Sequence, residues 1–185
     1  MNRILIGLTL IIFSQCDGTK STSISENQRI KDCGQFEIDT VSILTNKNLD
    51  GLISKVETAD LTLYSEFESA PGFIKLFLDS LVGTEFRIAD PGEDWQATDL
   101  ILEKALPDRQ LVYLGVGQDA MLLTYNKGGI GMSEKILIIH FEKYCIKDFW
   151  CGSVLANLTD KNQILNHLKE NKDKHWGLNT NFIYL

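Results

Sequence analysis

The chain has 185 residues, 44% of them hydrophobic, and a formal net charge of −7. That is one ordinary domain's worth of sequence with enough apolar material for a core. An acidic surface repels nucleic acid and anionic headgroups, because phosphate binding needs a basic field, so nucleic acid is excluded as a partner.

Residues 1–15 read as a secretory signal: a charged start at Asn2-Arg3, an apolar stretch from Ile4 to Phe13, then small or polar residues. Ten apolar residues are too few to cross a bilayer, which takes about 20, and no later stretch approaches that length. After Cys16 the stretch Asp17 to Asp32 is polar and Ser/Thr-rich. It cannot nucleate a core, so residues 16–32 read as a flexible tether spanning about 20 Å root-mean-square. Residues 33–185 are left as a single globular domain.

The segment Phe13-Ser14-Gln15-Cys16 resembles a bacterial lipobox, with Phe13 where Leu is commonest and Gln15 where Gly, Ala or Ser is usual. The resemblance implies that Cys16 is acylated, as in palmitate-bearing lipoproteins, and becomes the mature N-terminus. It further implies that the acyl chains bind a membrane and that the protein lies in the bacterial cell envelope, facing the periplasm or the exterior. Two alternatives stay open: cleavage after Gly18, which gives a secreted protein, and an uncleaved anchor.

An exported chain meets oxidising conditions, where cysteines pair. With Cys16 acylated, Cys33, Cys145 and Cys151 allow one disulfide. Cys145 with Cys151 is the first pairing, provided that Lys147-Asp148 reverses the chain; Cys33 is the alternative partner. No C-x-x-C occurs, and His140, His167 and His175 have no ligand spacing, so neither a metal nor a cofactor is implied.

Along the domain, Asn48 to Thr58 is a helix candidate, and "LTLYSEF" alternates like an edge strand. In "SAPGFIKLFLDSLVG" the apolar residues Phe73, Ile74, Phe77, Leu78 and Leu81 share one helical face. Ser69 is a possible cap, Pro71 suits the first turn and Gly83 the exit. Thr98 to Leu106 reads as a further helix, stopped by Pro107. From Arg109 to Ala156 the runs "QLVYLG", "AMLLTY", "KILIIHF" and "FWCGSVL" are separated by turn-rich loops and read as a four-stranded antiparallel meander. A helix over Asp160 to Asn171 follows, capped by Thr159 or Asp160, and "NFIYL" reads as a closing strand. The sum is an α+β fold, a mostly antiparallel sheet with possible edge strands and helices packed on one face.

Two segments are candidates for chemistry. "NKGGIGMSEK" offers Gly128, Gly129 and Gly131, but it lies between two strands and lacks G-K-[ST], so it reads as a hairpin loop rather than a phosphate cradle. "ADPGEDWQATD" gathers Asp90, Glu93, Asp94 and Asp99 around Pro91-Gly92, a possible cation-binding or acid/base cluster that also suits a plain surface turn. No catalytic template is present. The leading expectation is a binding module for another envelope protein, a peptide or a wall polymer, contacted through strand edges. The alternatives are an exported hydrolase using Asp90, Glu93 and Asp94, and a secreted inhibitor or immunity-type protein whose acidic surface suits a basic target.

Overall fold

A computed structural model describes residue 33 and residues 36–99, 106–174, 178–180 and 185. Among these residues six strands form one antiparallel sheet in sequential order: β1 Thr62–Tyr64, β2 Arg109–Val116, β3 Ala120–Lys127, β4 Ser133–Glu142, β5 Cys145–Val154 and β6 Asn179–Thr180. The helices are α1 Thr40–Leu44, α2 Leu49–Thr58, α3 Gly72–Val82 and α4 Lys161–Asn171. This is an α+β fold with an antiparallel sheet, as the strand spacing predicts. Most of the expected helix over Thr98 to Leu106, and residues 181–184 of the expected closing strand, lie outside the described residues. Among the described residues no helix is long and apolar enough to cross a membrane.

Helices cover both faces of the sheet rather than one. Successive strand residues point to opposite faces, and on β5 Phe149 stacks edge-to-face on Phe77 of α3 while Trp150 reaches Asn46 beside α2. Both neighbours on the strand are large, so each face needs its own cover. This explains why Ile136 to Ile139 form a continuous apolar run: all four are fully buried.

Local chemistry sets the helix ends. Leu49, Leu52, Ile53 and Val56 put the buried stripe of α2 at spacings of three and four. Asp160 caps α4, its carboxylate accepting from the Asn162 and Gln163 N–H groups at 2.9 and 3.0 Å. Gly83 closes α3 at φ 72°, a conformation that L side chains avoid. Ser69 is not the cap of α3; it ends a 3-10 turn at Phe67–Ser69, and Pro71 precedes the first residue of the helix. Between α1 and α2, Asn46 sits at φ 56°, and asparagine tolerates that region better than most residues.

His140, on the α2 face of β4, is 9% exposed. Burial holds its pKa below the usual histidine value; Lys55 adds to this, while Asp119, Glu142 and Asp148 oppose it. A lowered folded pKa means that the unfolded chain takes up the proton first, so this contribution to stability is present above about pH 6.5 and is lost as the pH falls. Chemical denaturation at pH 7 and pH 5 should show wild type losing stability on acidification, with a shallower loss in His140→Gln. An equal loss in both would remove His140 from the account.

Candidate functional site

Cys145 opens β5 and Cys151 lies further along the same strand. Six residues of extended chain separate Cα atoms by about 20 Å, beyond the reach of a disulfide. The expected Cys145–Cys151 bridge is therefore replaced by the alternative, Cys33–Cys145, with Cα atoms 5.3 Å apart. Lys147-Asp148 makes no reversal; the chain turns one step earlier, where Lys143 adopts φ 59°. Cys151 is a buried thiol outside the disulfide, and burial pushes its pKa up to about 12.

The acidic segment organises its own loop. Asp90 Oδ1 accepts from the Phe67 N–H at 2.8 Å, and Glu93 Oε2 accepts from the Asp90 N–H at 2.9 Å. Among the described residues no group of three or more His, Cys, Asp or Glu side chains is placed to hold a metal ion, so Asp90, Glu93, Asp94 and Asp99 are not gathered into a ligand set. The glycine loop packs against the same segment: Thr98 bridges to Gly129, and a Cβ on Gly128 would lie 2.0 Å from the Gln96 carbonyl oxygen. Close backbone approach, rather than anion binding, accounts for glycine at 128.

A polar patch that periodicity alone does not announce lies where β2 starts, β3 ends, β4 starts and β5 ends. Pairing sets Arg109 opposite Lys127, and sets Lys135 between Tyr125 and Ser153. Two adjacent cross-strand rows thus carry three cations on the sheet face that α3 covers. Arg109 and Lys135 are buried and Lys127 is partly buried. Asp108 is the ion-pair partner of two of them, at 2.9 Å from Arg109 and 2.5 Å from Lys127.

Aromatic rings and a main-chain oxygen wall the patch. Phe86 lies under the Arg109 guanidinium at 4.5 Å and meets the Tyr125 ring edge-on at 5.6 Å. Arg109 and Lys127 both donate to the main-chain oxygen of Leu185. The Tyr125 phenol and the Arg109 guanidinium are buried side by side and interact through a side-chain hydrogen bond. Outside them a cavity of about 520 Å³ is lined by Arg87, Arg109 and Lys127 together with Glu85 and Asp108. Burial holds the Lys127 ammonium below its usual range and raises the Tyr125 phenol well above its own.

Lys135 is a separate case, since its Nζ lies 2.5 Å from Ser153 Oγ. Burial lowers its pKa; Cys151 opposes this and the Lys127 charge adds to it. Lysine in that state is disposed to take a proton from a serine hydroxyl. No family model matches the chain, and neither the curated proteins nor the solved structures include one significantly similar to it.

Proposed function

We propose that the chain is an exported, lipid-anchored protein of the bacterial cell envelope that acts by binding, and that the basic end of the sheet takes an anionic group. Such a group would be a carboxylate or phosphate of an envelope protein, a peptide or a wall polymer. The observation that carries the binding reading is the pair of cations, Arg109 and Lys127, that share the one carboxylate of Asp108 at the wall of a cavity. Two buried or partly buried cations on one carboxylate leave an excess of positive charge that a further anionic group would offset. Leu185 already supplies one oxygen to the same cluster.

Export is supported by the N-terminal pattern and by the Cys33–Cys145 bond, a cross-link that persists in oxidising compartments. That bond also ties the tether to the hairpin between β4 and β5, at the opposite end of β4 from Lys135. A ten-residue strand is about 30 Å long, so an anchored molecule would hold its basic end away from the membrane.

Two measurements test this. Expression of the full chain and a Cys16→Ala variant in a bacterial host, with the N-terminal peptide mass and detergent partitioning read together, should show an acylated Cys16 only in the former. An unmodified, water-soluble product beginning near Thr19 would refute the anchor. Calorimetric titration with inorganic phosphate and with a short acidic peptide should give binding that weakens at least tenfold in Arg109→Met and declines with salt; no heat from either ligand would remove the anion site.

The 2.5 Å contact of Lys135 with Ser153 favours a second reading, an exported acyl hydrolase. Ser153 Oγ would attack the acyl carbon while Lys135 Nζ takes the hydroxyl proton and passes it to the leaving group as the acyl bond breaks; water, deprotonated by Lys135, would then cleave the Ser153 ester, releasing the acid and restoring the hydroxyl. A serine-directed fluorophosphonate should then label wild type and not Ser153→Ala. An unlabelled wild type would eliminate this reading.

A further inference from the structure

At the tethered end of the molecule, α3 does not close on the hairpin between β4 and β5, and a cavity of about 360 Å³ remains. Three separate parts of the chain wall it. From α3 come Phe73, Leu76 and Phe77; from the arm before α1 come Phe36 and Ile38; the hairpin contributes Tyr144 and Ile146. The Cys33–Cys145 disulfide joins arm to hairpin and is itself part of the lining.

This cavity is pre-formed rather than a gap between loose side chains. Edge-to-face contacts hold its rings: Phe36 to Phe77 at 5.8 Å, Phe77 to Phe149 at 5.3 Å and Phe73 to Tyr144 at 5.9 Å. Its chemistry is one-sided. Among the described residues no charged side chain lines it; of its two hydroxyls, Ser80 already donates to the Phe77 carbonyl at 2.6 Å and Tyr144 stands at the mouth. A sugar, peptide or phosphate would lose more hydration there than these two hydroxyls could replace. At the mouth, Leu76 and Tyr144 are 46% and 37% exposed, so the apolar lining continues onto the surface.

We infer that this cavity binds one alkyl chain of a lipid, the chain entering past Leu76 and Tyr144. The size is suitable, since an enclosed apolar cavity of about 150 Å³ already takes a benzene. Location supplies the source, and here the inference rests on the anchored reading. Cys33 lines the cavity, and the polar stretch preceding it leads back to Cys16, which places the mouth at the membrane end. Acidic charge on the rest of the surface favours lipids with a neutral or zwitterionic head.

The test uses the full disulfide-bonded chain, both acylated and as Cys16→Ala. N-phenyl-1-naphthylamine is the fluorescent reporter, and dodecylphosphocholine, below its micelle concentration, is the competitor. The reporter should bind one per chain and be displaced by dodecylphosphocholine far more readily than by hexylphosphocholine, because each buried methylene strengthens binding roughly fourfold until the cavity is full. Ser80→Trp, which fills the cavity from an exposed position, and Leu76→Asp at the mouth should each weaken binding at least tenfold. Ile130→Ser, an exposed apolar residue in the β3–β4 loop, should leave it unchanged.

Reporter binding lost in the acylated chain and present in Cys16→Ala would make the protein's own acyl chain the occupant; binding equal in both would make it a separate lipid. Absence of saturable binding in Cys16→Ala, or unchanged affinity in Ser80→Trp and Leu76→Asp, would overturn the inference. An unmodified Cys16 with intact reporter binding would refute the anchor and leave the alkyl site standing.

Discussion

Trp150→Ala is expected to lower unfolding stability by about 3–5 kcal/mol, the range for truncating a large aromatic in a packed core. Trp150 is fully buried in β5, pairs across the sheet with Ile138, and donates from Nε1 to Asn46 Oδ1 at 2.9 Å. Domains of this size are stable by about 5–15 kcal/mol in total, so the variant should sit near the edge of folding, with a clearly lower midpoint in urea. Trp150→Phe separates packing from hydrogen bonding. It keeps most of the ring and leaves the Asn46 oxygen without this donor, a loss of about 1 kcal/mol. A double-mutant cycle with Asn46→Gly, which retains the left-handed backbone, should show coupling of similar size. Gly152 provides an internal check: its added Cβ would stand 2.4 Å from Trp150 Cη2. Gly152→Ala should therefore be harmful in wild type and largely relieved in Trp150→Ala. A Trp150→Ala variant within 1 kcal/mol of wild type would refute the placement of the indole.

Removing the Cys33–Cys145 bond, by reduction or by Cys33→Ser, is expected to destabilise the chain by about 2–4 kcal/mol. The two residues are 112 apart in sequence, so the cross-link withholds a long loop's worth of freedom from the unfolded ensemble. The Cys33→Ser chain should have the same urea midpoint with and without reductant, and that midpoint should match reduced wild type. Cys151 should stay unalkylated by iodoacetamide in the native state and react on unfolding, because a buried thiol with its pKa near 12 presents almost no thiolate. A non-reducing peptide map joining Cys145 to Cys151, or rapid native alkylation of Cys151, would contradict the pairing.

The alkyl site and the disulfide are physically linked, since the bond forms part of the cavity wall. Reduction should accordingly weaken reporter binding even under conditions where the chain remains folded. The basic site, at the opposite end of the sheet, should be far less affected.

Local patterns made much of the fold legible. The apolar stripe of α2, the Asp160 cap of α4 and the exit glycine of α3 are decided within a few residues, so periodicity and capping chemistry found them. The meander was readable for a similar reason: short loops between β-branched runs leave antiparallel pairing as the simplest connection. Clustered charge was a poorer guide, because Asp90 and Glu93 stand out in sequence yet accept backbone N–H groups around one turn. Arg109, Lys127, Lys135 and Ser153 were missed, being dispersed over four strands and marked only by polar residues in otherwise apolar runs.

By itself the sequence determined the α+β class, the meander and the positions of α2, α3 and α4, since these follow from interactions between residues close along the chain. Which face each helix covers, which cysteine Cys145 meets, and which polar side chains converge were decided only by the tertiary structure. Those outcomes depend on strand register and on contacts between residues as far apart as Cys33 and Cys145, where a shift of one residue turns every side chain to the opposite face.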